Sequence, residues 1–226
     1  MQKKLWEREY LELKNLPSSQ TPKPSRALTW FIEEYCPANK VPAGRALDVG
    51  MGRGRNSVYL AQKGWSVTGT EIADAAISLA KKTFNEADVA SKVQVLQRSA
   101  GEKLPLPDVN FNLILDMMVL HLLSSSERDI YAPEVMRLLK PGGHFLFYTI
   151  YADSPAARNL CQSSPGPEPN SYVIPQSGMI EKGFTESEIK QMFHPLRVVN
   201  LETKTEFTPA FGDIYERVYL QGLLKK

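Results

Sequence analysis

The sequence predicts an α/β protein with a doubly wound, seven-stranded sheet, mostly parallel with an antiparallel last strand. Three observations carry that prediction. Short, near-continuous apolar runs alternate with helix-patterned stretches from residue 46 onward, as strands of a parallel sheet covered on both faces do. A glycine cluster stands at the junction of the first such run and the first helix. Strand-like runs at 196–203 and 214–224 are separated only by 204–213. A parallel crossover needs a dozen or more residues, usually a helix, so the last strand is expected to run antiparallel to its neighbour.

Taken in order, residues 25–35 read as a helix, with Leu28, Phe31, Ile32 and Tyr35 at helical spacing. Ser25 is a suitable cap and Pro37 the expected stop. Residues 46–49 form the first strand and 56–63 a helix. Residues 65–70 read as a strand, and Asp74 as the cap of a helix through Phe84, with Ile77, Ala80 and Phe84 on one face. Strands at 93–96 and 111–115 follow. Ser124-x-x-Glu127 predicts a capping box opening a helix to Leu139, which Pro141-Gly142-Gly143 ends. Pro133 inside it predicts a kink or a late start. A fifth strand covers 145–150. Residues 151–184 then run 34 residues with five prolines and no periodicity. A loop that long in a compact domain is expected to be functional, so this one reads as a lid over the carboxyl edge of the sheet, where ligands bind.

Composition sets the frame. With 226 residues, 42% hydrophobic and 23% charged, the chain is globular, and one domain over 1–226 is expected. Residues 1–40 form an N-terminal helical cap and 151–184 an inserted lid. Twenty-seven basic against 25 acidic residues leave a net charge of +2 with no concentrated basic stripe, which argues against a nucleic-acid partner. Cys36 and Cys161 are too few for a disulfide framework or a four-ligand zinc site, and no metal is expected. The charged opening stretch lacks the apolar core of a signal peptide. The longest apolar run, 113–123, is interrupted by Asp116 and His121 and is too short to span a bilayer. A cytoplasmic protein with no membrane partner is the expectation.

The informative segment is Leu47-Asp48-Val49-Gly50-Met51-Gly52-Arg53-Gly54-Arg55-Asn56. Glycines let the chain turn tightly and let a ligand approach the backbone, and a helix N-terminus adds unpaired N–H donors. Glu71 ends the second strand, beside the first at the ligand crevice of a doubly wound sheet. A carboxylate there is placed to accept both hydroxyls of a ribose. A dinucleotide fingerprint would place glycine at 55, where this chain has Arg55. The spacing is instead G-x-G-x-G led by Asp48, an acid suited to a cationic amino group.

This stretch resembles motif I of the class I S-adenosylmethionine-dependent methyltransferases. Leu104-Pro105-x-Pro107 and Phe111-Asn112-Leu113-Ile114 resemble that family's approach to strand four, and Leu138-Leu139-Lys140-Pro141-Gly142-Gly143 its turn into strand five. Gly-Arg-Gly-Arg-Asn is similar to small-molecule members of the tellurite-resistance and thiopurine type. The resemblance covers about residues 25–224 and implies a Rossmann-like fold with S-adenosyl-L-methionine as cofactor. It implies cofactor contacts from Asp48, Gly50, Met51, Gly52, Gly54, Asn56, Glu71, Ile72, Ser99, Ala100 and Asp116. Where the family's third strand commonly ends in Asp, this chain has Ser99-Ala100, and the Ser99 hydroxyl can accept one hydrogen bond.

The implied activity is methyl transfer to a small-molecule acceptor by in-line displacement. Such a reaction needs alignment more than a fixed catalytic motif. His121, just after strand four, is the candidate for orienting or deprotonating the acceptor, against the alternative of simple packing at a helix entry. Asp116-Met117-Met118-Val119 departs from the Asn/Asp-Pro-Pro-Tyr element of methyltransferases acting on bases or glutamine. Tyr151, Tyr172 and Met179 of the lid, with Trp6 and Tyr10, are expected to close over the acceptor. A nicotinamide-dependent oxidoreductase is the alternative, disfavoured by Arg55 and the short final hairpin. A catalytically silent cofactor-binding regulatory domain is another.

Overall fold

The computed structural model describes residues 2–12, 21–175, 177–210 and 213–226. Helix α1 (Gln2–Glu12) opens the chain. A second helical run begins as α2 (Arg26–Trp30), passes through one π turn (Phe31–Tyr35) and ends as α3 (Cys36–Ala38). The Ser25 hydroxyl caps it, accepting from the Leu28 N–H at 3.3 Å. Pro37 does not stop this run where expected. The Cys36 N–H bonds five residues back to the Phe31 carbonyl, which places Pro37 in the first turn of α3, where a missing N–H is tolerated.

Next come β1 (Arg45–Val49), α4 (Arg55–Gln62), β2 (Ser66–Glu71), α5 (Asp74–Glu86), β3 (Val93–Gln97) and β4 (Phe111–Met117). Asp74 is the first residue of α5, not its cap, and Ala73 holds the cap position. The exposed donors at this end are met from α1: the Glu7 carboxylate accepts from the Ala75 N–H at 3.1 and 3.2 Å. Lys3 pairs with Asp74 at 2.9 Å. Thus α1 is docked on the start of α5.

Helix α6 (Ser125–Leu138) opens on the Ser124/Glu127 capping box. Pro133 lies inside it without delaying its start, because the carbonyl left without a helical donor belongs to exposed Asp129. Strand β5 (Leu139–Ile150) follows at once and absorbs the Pro141-Gly142-Gly143 turn as a register shift, with Phe111 opposite Leu139 and Leu113 opposite His144.

Residues 151–184 are not the structureless loop their composition suggests. They hold α7 (Pro155–Ser163) and a hairpin of β6 (Ser171–Val173) and β7 (Ile180–Lys182). Ala157, Tyr172, Ile174 and Met179 bury themselves against Ile150 and Tyr219, and Pro155 stands at the helix start, where it fits. Elements this short are held by tertiary packing and leave no periodicity to read.

Helix α8 (Glu186–Met192) leads into β8 (Arg197–Ala210) and β9 (Asp213–Lys225). Residues 211–212 lie outside the described residues, as do 13–20 and 176. The sheet order is β3-β2-β1-β4-β5-β9-β8, with β1 to β5 parallel and β9 antiparallel to both neighbours. One face is packed by an aromatic group including Tyr131, Phe145, Phe147 and Phe193. The other is packed by Leu28, Phe31, Trp65 and Phe84. The strand order reverses between β1 and β4, which opens a crevice at their carboxyl ends. Among the described residues no helix is long and apolar enough to cross a membrane.

Candidate active site

A cavity of about 1300 Å³ lies at this crevice. Its floor is the loop between β1 and α4, which is pinned to the end of β2. The Gly50 N–H donates to the Thr70 hydroxyl (3.2 Å), the Met51 N–H to the Thr70 carbonyl (2.8 Å) and the Gly52 N–H to Glu71 Oε2 (3.0 Å). Gly52 takes a left-handed φ of +55°, and a Cβ there would run into the Tyr10 hydroxyl. Only glycine meets both demands. Gly54 also has a job, but not a ligand's: a side chain there would collide with the Phe84 ring, and the residue does not line the cavity.

Gly50, Met51, Gly52, Asn56, Ile72, Ser99 and Ala100 all line the cavity, with Asp48 and Glu71. Asn56 is engaged, its Oδ1 accepting from the Ser25 N–H at 2.9 Å, and so anchors the N-terminal helices to the loop. The Ser99 hydroxyl accepts from the Gly101 N–H at 3.2 Å.

Asp48 is buried, and its Oδ2 accepts a 2.6 Å bond from the Ser57 hydroxyl. Among the described residues it forms no ion pair. Loss of solvent pushes its pKa up to about 7, against the lowering effect of the Ser57 bond. A carboxylate in that condition suits a ligand's ammonium group. Glu71 is more heavily used than its place in the sequence suggests. Burial raises its pKa, and three backbone bonds oppose the rise. Oε1 accepts from Ile72 (2.6 Å) and Ala73 (3.0 Å), and Oε2 from Gly52. A carboxylate has about four lone-pair sites, so one is left, on Oε2. Three backbone donors thus compete for the carboxylate that the sequence reading gave to two ribose hydroxyls.

Asp116 does not line the cavity either. It is fully buried, accepting from the Val119 and Leu120 N–H groups and, at 2.6 Å, from the Tyr131 hydroxyl. Burial lifts its pKa to about 6. The strand end turns this carboxylate inward to hold the turn into the short 3₁₀ segment Leu120–Leu122.

That segment carries His121, which lines the cavity while only 4% exposed. Its Nε2 faces Glu181 Oε1 at 3.8 Å, and its buried Nδ1 has no hydrogen-bond partner. Burial lowers its pKa to about 4; Glu181 opposes the fall and Arg217 adds to it. Tyr172 and Tyr151, expected over the acceptor, do not line the cavity. The Tyr172 ring is core, and its hydroxyl donates to Glu181 Oε2 at 2.7 Å. Tyr151 bridges to Phe184 and packs on the core. Trp6, Tyr10 and Met179 do line it. Trp6 also packs against the insert, bridging α1 and the hairpin.

Glu181 and Arg217 were not singled out from the sequence. Arg217 had a signal: Arg217, Tyr219 and Gln221 alternate with Val218, Leu220 and Gly222, and all three line the cavity. Glu181, in a three-residue strand, had none.

The sheet order and the crevice at its carboxyl edge are those of the Rossmann-like methyltransferase fold. Residues 46–143 match the family model described as a methyltransferase domain. The chain is 29% identical to the fatty-acid O-methyltransferase of Mycolicibacterium smegmatis, over 58% of this chain and 46% of that protein. It spans about half or less of the length of the curated relatives it matches. A SAM-dependent methyltransferase from Methanosarcina mazei superposes with a TM-score of 0.73 at 23% identity, over 84% of this chain and 95% of that one. The 1,6-didemethyltoxoflavin-N1-methyltransferase of Burkholderia thailandensis, solved with bound 1,6-didemethyltoxoflavin and S-adenosylhomocysteine, superposes with a TM-score of 0.65 at 20% identity, over 97% of this chain and 84% of that one.

Proposed function

We propose that the protein transfers a methyl group from S-adenosylmethionine to a small-molecule acceptor by in-line displacement. The observation that carries this reading is Asp48, a buried carboxylate on the crevice floor with no ion pair among the described residues. In this reading Asp48 holds the donor's amino group and Oε2 of Glu71 takes a ribose hydroxyl. Ser99 and Ala100 flank the adenine. Bound there, the donor supplies an electrophilic methyl on a sulfonium sulfur.

The remaining volume is for the acceptor. At about 1300 Å³ the cavity exceeds the ~300–1,000 Å³ usual for one ligand, which supports two ligands side by side. Relatives such as the toxoflavin-type methyltransferase, solved with donor product and a small molecule together, support the same reading. The insert at 151–184, with Trp6 and Tyr10, acts as a cover that excludes water and aligns the acceptor.

Calorimetric titration with S-adenosylhomocysteine and with NAD tests the donor. Binding of the first and not the second is expected, and the reverse overturns the reading. Turnover of S-adenosylmethionine with a metabolite panel, followed by mass spectrometry, separates an enzyme from a silent binding domain.

A further inference from the structure

We propose that the cavity has a second arm, beside the carboxyl end of β5 and across β9 and β8, that anchors an organic cation: the ammonium group of an elongated acceptor, held by Glu206 and the Tyr148 and Tyr219 rings. The inference rests on the methyl-transfer reading. It concerns the acceptor's far end, not the atom that is methylated.

The arm follows from strand register. β9 runs antiparallel to β5, and their last pair is Ile150 with Tyr219. The β8–β9 hairpin continues past that pair, on the side of the sheet where ligands bind. Residues directly opposite one another in an antiparallel pair share a face. Tyr148 lies opposite Gln221, and Gln221 opposite Glu202. Farther along the same face Lys204 lies opposite Tyr219, and then Glu206 opposite Arg217. All of these side chains line the same cavity as the loop between β1 and α4, with Arg26 and Trp30 of α2 as the facing wall. Neighbouring strands lie about 4.8 Å apart, so the arm reaches about 14 Å sideways from β4. A compact acceptor at the crevice does not span that distance; an elongated one does.

The charges in the arm decide what it takes. Lys204 pairs with Glu202 at 2.9 Å, and Glu202 also accepts from Asn200 and Gln221. Arg217 stands 4.0 Å from Glu181 and is drawn to Tyr219 as well. Glu206 is half-buried and forms no ion pair among the described residues. It acts on Tyr148, whose pKa is raised by burial first and by Glu206 next; Arg26, exposed on α2, opposes that rise more weakly. The Tyr148 and Tyr219 rings are stacked, with centroids 4.8 Å apart. A ring face attracts a cation through its quadrupole, and a carboxylate beside it supplies the opposite charge. An anion would be repelled by both, and a neutral group would leave Glu206 unpaired.

The test is calorimetry on the full chain saturated with S-adenosylhomocysteine, using three probes of matched length: 6-phenylhexylamine, 6-phenylhexanol and 6-phenylhexanoate. The amine should bind at least about tenfold more tightly than the other two, the worth of one hydrogen bond to a charged group. Glu206→Gln should remove that advantage. The melting temperature and the S-adenosylhomocysteine affinity of the variant report the fold and the crevice, and neither should move. Glu206→Lys should turn the preference toward the carboxylate probe. Tyr148→Leu should weaken the amine roughly twofold to fivefold and the alcohol less, as loss of a ring face predicts. Equal binding of the three probes, tightest binding of the acid, or an amine advantage that survives Glu206→Gln overturns the inference. So does S-adenosylhomocysteine binding with none of the probes taken up, which leaves the methyl-transfer reading standing. If S-adenosylhomocysteine does not bind at all, the methyl-transfer reading fails and takes this inference with it.

Discussion

The two ends of the cavity are built on different principles. At one end, a single stretch of chain from Asp48 to Asn56 forms the floor, and its backbone N–H groups are tied to Thr70 and Glu71. At the other end, three separate stretches each contribute a side chain: His121 after β4, Glu181 from the insert and Arg217 from the last strand. The first end is a local turn whose Gly50, Met51 and Gly52 N–H groups are tied down. The second leaves a buried nitrogen unmatched. A site that must hold one invariant ligand can be made from local geometry. A site that selects among ligands is made by bringing distant segments together.

The largest expected effect lies in the donor loop. Gly52→Val forces a β-branched residue to a φ of +55° against the Tyr10 hydroxyl, and S-adenosylhomocysteine affinity should fall by at least about a hundredfold. Adding Tyr10→Ala sharpens the result. Recovery in the double variant would assign the loss to displaced α1, whereas continued loss assigns it to the loop and its ligand. Glu71→Ala comes next. It removes the acceptor for three backbone donors as well as the remaining ligand site, so affinity should drop roughly tenfold or more and the melting temperature should fall with it. Unchanged affinity by calorimetry would separate Glu71 from the donor altogether.

Asp48 gives a pH test. With its pKa raised to about 7 in the free site, a proton must leave before the carboxylate can pair with an ammonium. S-adenosylhomocysteine affinity should therefore weaken as pH falls below about 7, by up to about tenfold per pH unit. Asp48→Asn should bind weakly at every pH and lose that slope; a slope that survives the substitution places the titrating group elsewhere. The smallest effect is expected from Tyr172→Phe, which keeps the buried ring and removes the donor to Glu181. It should lower stability by about 1–3 kcal/mol in denaturant melts while leaving S-adenosylhomocysteine affinity alone. Alanine at the same place would remove a buried aromatic worth about 3–5 kcal/mol and mix folding with function.

Most of the sheet was legible because its strands are near-continuous apolar runs bounded by strong punctuation. β1, β2 and β4 fall within two residues of expectation at either end. The same reasoning misplaced Asp74 and Pro37. Spacing shows that a residue type suits a role without showing whether another group has taken it. At α5 the competing group is Glu7, which comes from α1 and is distant in sequence. The insert was illegible for a related cause. Three-residue strands carry no period, and the apolar residues that fix them, Tyr172, Ile174 and Met179, make sense only against Ile150 and Tyr219.

By itself, then, the sequence determined the parallel sheet, the antiparallel last strand and the glycine loop at the head of the first helix of the sheet. Each follows from local terms: apolar period, the length of 204–213, and the backbone freedom of glycine. Tertiary structure decided the rest. It turned Asp116 inward onto its own turn, took three of the four lone-pair sites of Glu71, folded residues 151–184 into a helix and a hairpin, and set Glu181 beside His121. These outcomes depend on which polar groups meet once distant segments pack, and a buried donor or acceptor is satisfied by whichever partner the fold brings within reach.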